Sequence, residues 1–342
     1  MSAQSDASLL DHATQTIEVG SKSFAAAAKL FDPETRRGVL MLYAWCRHCD
    51  DVVDGQELGM NGIAQTPQEA RRQLEILREQ TRRAYAGETM TDPAFAAFQD
   101  VARRHGIAPR YAYDHLAGFA MDVDQAHYDT IEDTLRYCYH VAGVVGLMMA
   151  SIMGAHDEAT LDRACDLGLA FQLTNIARDI VEDARMGRCY LPAAWLREAG
   201  IPPGEIALER HRAALARVAA RLVEHAEPYY ASALDGIAAL PLRSAWAIAT
   251  ARNVYRQIGI EVRRRGVHAW DERVGTSRAA KLWLLAKGGA DALSSRWRRP
   301  GPRSVGPRSV GPRPAGLWRR PGAETPAAAF SGDPHAAHAA GA

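Results

Sequence analysis

Long apolar runs are missing from this 342-residue chain. The longest apolar window, VAGVVGLMMASIMGA at 141–155, is bounded by His140 and His156. It falls short of the roughly 20 residues that a membrane-spanning helix needs, so it reads as a buried core helix. Cysteine is scarce too: there are five, an odd number spread along the chain. That excludes a disulfide framework and points to a reducing, cytoplasmic compartment. The opening residues MSAQSDASLLDHATQTI lack the basic-then-apolar order of a secretory signal. Net charge is nearly absent, at +1, which argues against a nucleic-acid-binding domain and for no nucleic-acid partner. No Gly-rich dinucleotide fingerprint occurs, and no strong run alternates apolar with polar residues as a half-buried strand would.

What is present has the period of helices. Apolar residues recur at three- and four-residue spacing over 39–54, 71–86, 131–155, 161–183, 206–226 and 243–264. The breaks carry helix-stop chemistry: Asp32-Pro33, the segment from Gly187 to Pro192, Ile201-Pro202-Pro203-Gly204, and Leu240-Pro241. No Pro/Gly/Ser linker interrupts the body, so a single all-α domain is expected over residues 1–295. Of 41 basic and 40 acidic residues, eight and two lie beyond residue 295, which leaves 33 against 38 and a body of net charge −5. The remainder, 296–342, contains the repeat GPRSVGPRSVGPRP and then Ala-, Gly- and Pro-rich sequence. Such composition cannot bury a core, so a disordered tail is expected. Two readings of that tail stay open: an inert extension, or a basic, Trp-bearing segment that touches anionic membrane surfaces.

Two acidic motifs stand out. YAWCRHCDDVVDG, residues 43–55, has three aspartates in five positions. On a helix Tyr43, Arg47, Asp50 and Asp54 share an arc of roughly 60°, and Asp51 points away from it. FQLTNIARDIVEDARMGRCYLP, residues 171–192, places Gln172, Asn175, Asp179 and Asp183 on a face about 80° wide. Arg178 and Arg188 lie close by in sequence. Either motif alone would read as a solvated helix face. Together they offer oxygen ligands beside arginines in an otherwise apolar helical protein. Oxygen-only donors suit hard cations, Mg²⁺ or Mn²⁺, and the arginines suit a phosphate-bearing substrate. Cys46 and Cys49 form a lone CxxC on an apolar stripe and read as core.

The sequence resembles the squalene and phytoene synthase family of head-to-head prenyl transferases, nearest its bacterial phytoene-forming members. The resemblance rests on SKSF (21–24), LYAWCRHCDDVVD (42–54), YCYHVAGVVG (137–146), QLTNIARDIVEDARMGRCYLP (172–192) and the region from NVYRQIGIEV to DERVGTSRAAKL (253–282). It covers about residues 15 to 285. It implies an all-α isoprenoid-synthase fold, antiparallel helices around a central apolar cavity, with the two acidic motifs facing each other at its mouth. Metal ligation is implied at Asp50, Asp54, Asn175, Asp179 and Asp183. Diphosphate contacts are implied at Ser21, Lys22, Ser23, Tyr43, Arg47, Gln172, Arg178 and Tyr255, with Arg273 and Lys281 in a looser match. Tyr137 falls in the cavity-lining motif, as a residue to stabilise cations or guide proton loss. An ordinary buried tyrosine stays open for Tyr137, and helix capping for Ser21 and Ser23.

The implied reaction joins two geranylgeranyl diphosphates, through a cyclopropyl diphosphate, into phytoene, the first committed step of carotenoid biosynthesis. It needs Mg²⁺ or Mn²⁺ and no NADPH. The four alanines Ala25 to Ala28 leave room for a C20 rather than a C15 chain if they line the tunnel. An insoluble C40 product implies a peripheral membrane surface as partner, together with other carotenoid enzymes. Two alternatives stay open: a C15-using squalene or dehydrosqualene synthase, and a non-catalytic helical assembly protein of the same ancestry.

Overall fold

The computed structural model describes residues 3–20, 27–55, 65–297, 310 and 313–322; among these there are helices and turns and no strand. In chain order the helices are α1 (Ala3–Gly20), α2 (Pro33–Asp54), α3 (Pro67–Tyr85), α4 (Pro93–His105), α5 (Pro109–Val123), α6 (Ile131–Cys138), α7 (Val144–Ile152), α8 (Glu158–Arg185), α9 (Ala193–Glu198), α10 (Arg212–Gly236), α11 (Leu242–Arg265) and α12 (Arg278–Trp297). Short 3₁₀ turns lie between some of them.

Local chemistry sets the ends. The Asp32 carboxylate accepts from the Thr35 amide at 3.0 Å and Pro33 takes the first helical position of α2. At the far end Gly55, with φ of 62°, closes the helix immediately after Asp54. Thr66 with Glu69 and Thr130 with Asp133 form capping boxes on α3 and α6. Every break expected from proline and glycine is a helix boundary. One helix runs past the apolar period read over 206–226: α10 continues through Pro228 to Gly236. Proline removes one backbone hydrogen bond. The buried Tyr229, Tyr230 and Ala233 beyond it, on a helix packed along α8, compensate for that loss.

α6 and α7 are one run joined by a π-turn over Tyr139–Gly143. It is the run among the described residues long and apolar enough to cross a membrane, and 67% of its most apolar window is buried inside the protein. It lies backbone against backbone on α8. A Cβ on Gly168 would sit 2.3 Å from the Ala142 carbonyl oxygen, and one on Gly146 would sit 2.4 Å from that of Ala164. Around α8 pack α7, α10 and α11, while α2 packs on α1 and α4 and reaches α7. The helices enclose a cavity of about 690 Å³.

The far C-terminal region departs from expectation. Residues 313–322 are not free of the body. Arg313 Nε donates to buried Asp166 at 2.9 Å, and Arg320, itself buried, donates to Asp162 at 2.8 Å and to Glu158. The Trp318 amide donates to the Tyr229 hydroxyl at 3.1 Å, and its ring lies 5.7 Å from that of Tyr139. This strap covers the N-terminal half of α8. Charge pairing holds it together with the packing of Leu317 and Trp318 on the core, and two apolar residues in a Pro/Gly/Arg-rich stretch gave little sign of order.

Candidate active site

The cavity mouth is built by α2 and α8. Tyr43, Cys46, Arg47 and Asp50 line it from α2, and Phe171, Gln172, Asn175 and Arg178 from α8. Both helices carry these groups at i, i+3 and i+4 spacing, so each offers one polar stripe inward while Leu42, Trp45 and Cys49, or Leu173, Ile176 and Ala177, pack into the core.

The carboxylates are held by guanidinium groups. Arg47 bonds Asp50 at 2.9 Å and Asp51 at 2.7 Å. Asp51, expected to point away, is therefore a partner of the same arginine. Arg178 Nε donates to Asp179 at 2.8 Å, and Arg273 reaches the same carboxylate at 3.3 Å. Arg188 forks onto Asp54 with contacts of 2.5 and 3.3 Å. That last pair spans from the loop after α8 to the end of α2, and so it ties the two acidic motifs together across the mouth.

Negative charge still exceeds positive here, and the titration of two aspartates records it. Burial, with Asp54 and Asp51 opposing Arg47, pushes Asp50 up to about 6. Burial and neighbouring Asp179 push Asp183 up to about 7, against the pull of Arg188. The Asn175 side-chain oxygen is buried with no hydrogen-bond partner. Among the described residues no three Asp, Glu, His or Cys groups converge as a ready-made metal cluster. The donor set nonetheless fits a hard divalent cation. It is oxygen-only, it carries surplus negative charge, and it includes an orphaned carbonyl oxygen aimed at the same region.

Away from the acidic stripes the lining is mostly apolar, with Phe119, Val141, Val145, Met149, Leu167 and Ile258, and His115, Thr160 and Arg163 are the polar groups among them. Tyr137 lies at the side of this chamber, just before the π-turn. Its hydroxyl donates to Asp122 at 3.1 Å, and that of Tyr190 donates to the other oxygen of Asp122 at 3.0 Å. The two rings stack at 4.5 Å. Burial raises Asp122 to about 6, and it raises the Tyr137 phenol far above its usual range. Tyr255 is stacked on Phe171 at 4.2 Å on the opposite wall.

Of the residues expected from sequence, the fold brings Tyr43, Arg47, Asp50, Tyr137, Gln172, Asn175, Arg178, Tyr255 and Arg273 to the cavity wall. Asp54 and Asp179 join them at the rim through their arginines, and Asp183 lies one helical turn beyond Asp179, beside Arg188. Lys281 is not brought in: it sits half-buried in the first turn of α12, off the cavity wall. Ser21, Lys22 and Ser23 lie outside the described residues, as do Ala25 and Ala26. Ala27 and Ala28 are buried and do not line the cavity. Cys46 and Cys49 carry thiols raised by burial and are structural. Sequence reasoning missed Asp122 and Tyr190, and it left Arg188 without a role. A signal for Asp122 existed: it falls on the apolar stripe of α5 formed by Tyr111, His115 and Phe119.

The squalene/phytoene synthase family profile matches residues 17–280. A 15-cis-phytoene synthase of Pantoea ananas is 61% identical, covering 92% of this chain and 98% of the relative. A phytoene synthase of Pseudescherichia vulneris is 60% identical over the same shares. Among solved structures, a dehydrosqualene synthase aligns with a TM-score of 0.76 at 26% identity, covering 85% of this chain and 99% of that one. A squalene synthase from Alicyclobacillus acidocaldarius aligns with a TM-score of 0.65 at 25% identity, covering 76% and 96%.

Proposed function

The chain belongs to the squalene/phytoene synthase family, and from that premise we propose how its residues divide the work. It is a prenyltransferase of the isoprenoid-synthase fold, and its reaction joins two geranylgeranyl diphosphates head to head into phytoene with release of two diphosphates. The observation that carries this reading is the pair of acidic stripes on α2 and α8, tied by Arg188 and Asp54 over an apolar chamber.

In this reading Asp50 and Asp54 from one side, and Asn175, Asp179 and Asp183 from the other, hold Mg²⁺ or Mn²⁺. Held there, such a cation would supply positive charge opposite the leaving diphosphate. Arg47, Arg178 and Arg273, now paired with aspartates, turn to diphosphate oxygens as those aspartates take up other partners. Tyr43, Gln172 and Tyr255 orient the diphosphate end of the chain. Ser21, Lys22 and Ser23 are proposed to do the same, on the sequence resemblance alone.

Ionisation gives an allylic cation. The double bond of the second substrate attacks it, and a cyclopropyl diphosphate forms. A second ionisation, rearrangement and proton loss then create the central double bond, with no need for NADPH. The apolar walls exclude the water that would quench these cations. Tyr137, held by Asp122, presents its phenol to them. The product is almost insoluble in water, so release at a membrane surface, in reach of later carotenoid enzymes, belongs to this reading.

The test is a product assay. Purified protein receives geranylgeranyl or farnesyl diphosphate with Mg²⁺ or Mn²⁺, with and without NADPH, and the extracted hydrocarbon is identified by mass. A C40 hydrocarbon from the C20 substrate without NADPH is expected. A C30 product alone would move the chain to the C15-using branch of the family. No hydrocarbon from either substrate would favour a non-catalytic role.

A further inference from the structure

We propose that the outer face of α12 is a docking surface for an anionic lipid bilayer. Four large apolar side chains stand out from this helix: Leu282 is 69% exposed, Trp283 62%, Leu293 54% and Trp297 85%. On a helical projection they fall within an arc of about 100°. Ala286 and Ala290, also exposed, fill the space between them. A stripe of this width is what a helix normally buries, and here it faces outward.

The stripe cannot turn inward. The opposite face of α12, Leu284, Gly288 and Ala292, is buried on α11. A Cβ on Gly288 would meet the Thr250 hydroxyl at 2.4 Å and the Thr250 amide nitrogen at 2.8 Å, so the two backbones are in contact there. Trp246 fixes the rotation by donating its indole N–H to the Leu285 carbonyl at 2.9 Å. The outward stripe is therefore set by packing.

Charge selects the occupant. Arg278 flanks the stripe at its start, Arg296 flanks its end, and Arg298 and Arg299 follow in the sequence. The acid on α12, Asp291, is tied to Lys287 at 2.9 Å and to Asn253 at 2.8 Å, away from the stripe. Apolar residues with tryptophans, bordered by arginines and no free acid, match an interfacial helix on an anionic membrane. Leu242, 47% exposed, lies beside the C-terminal end of the stripe, where Arg296 donates to the Leu240 carbonyl. Leu240 also lines the inner end of the cavity. The proposed contact surface thus runs along the outside of the chamber wall.

The experiment is co-sedimentation of the full chain with vesicles of phosphatidylcholine alone or mixed with phosphatidylglycerol, without substrate, so it is read separately from the reaction. Binding to the anionic vesicles, falling with salt, is expected. The double variant Leu282→Asp/Trp283→Asp should lower the partition coefficient at least about tenfold. Ile76→Asp, at an exposed apolar position on α3, should not change it. Brominated lipid should quench the wild-type tryptophan fluorescence, and Trp283→Phe/Trp297→Phe should remove most of that quenching. Equal binding of the double variant and wild type, or no vesicle binding by wild type, would overturn the proposal. So would self-association of the wild type in sedimentation velocity that the double variant loses while vesicle binding stays intact, because a second copy would then be the occupant.

Discussion

At Asp183, burial and the Asp179 carboxylate keep a proton on the folded chain up to about pH 7, whereas the unfolded chain gives it up near 3.8. Between those values the folded state binds more protons, so this group's contribution to stability falls as pH rises. In metal-free protein the advantage of Asp183→Asn over wild type should therefore grow as pH goes from 4 to 7, read as a difference in melting temperature. A constant difference would mean that Asp183 is not strained in the mouth. With divalent cation and diphosphate added, wild type should recover more than the variant. Tyr137→Phe makes a second test. It leaves the diphosphate end intact, so diphosphate release should persist while phytoene formation drops about tenfold or more. Parallel loss of both would assign Tyr137 to packing. Asp50, Asp54, Asp179 and Asp183 were legible in the sequence because helical spacing alone gathers them. Tyr190 was not, because it reaches Asp122 only through a contact 68 residues apart in the chain, and the place of Asp122 on the apolar stripe of α5 went unread.

Among the helices, α8 carries two tasks at once: a polar stripe at its C-terminal half and a glycine contact at its middle. Gly168 lets the π-turn of the preceding run press its Ala142 carbonyl against the α8 backbone. Gly168→Ala forces the helices apart and should cost about 1–3 kcal/mol, as overpacking in cores does. Because Gln172 lies one turn further along, the same change should raise KM for geranylgeranyl diphosphate. An unchanged melting temperature would show that the crossing relaxes freely. The positions of α2, α3, α6 to α8, α10 and α11 were legible from their apolar period, and several ends from proline and glycine, which act locally; α1, α4, α5, α9 and α12 lay outside the periodic stretches. The π-turn was not. YHVAG has nothing in its local pattern to set it apart from α-helix, and only the crossing partner explains it.

For the whole molecule, the informative departure is the strap. Residues 313–322 have no amphipathic period and only Leu317 and Trp318 to pack on the core, so nothing local announces that they dock. Their anchors are arginines whose partners lie on α8. Truncation after Trp297 would leave Asp166, which is fully buried, without Arg313. Removing one partner of a buried ion pair typically costs about 3–5 kcal/mol. That truncation should lower the melting temperature by several degrees, while truncation after Gly322 should leave it unchanged. Equal melting of the two forms would reduce the strap to a surface ornament. The same feature bears on how the protein is made. Arg313 follows Asp166 by 147 residues, and Arg320 follows Asp162 by 158. α8 thus leaves the ribosome well before its ion-pair partners exist, and its carboxylates must stay wet in the meantime. The last lock on the central helix closes only when the strap arrives, so the nascent chain spends much of its synthesis with that side of the core unsealed.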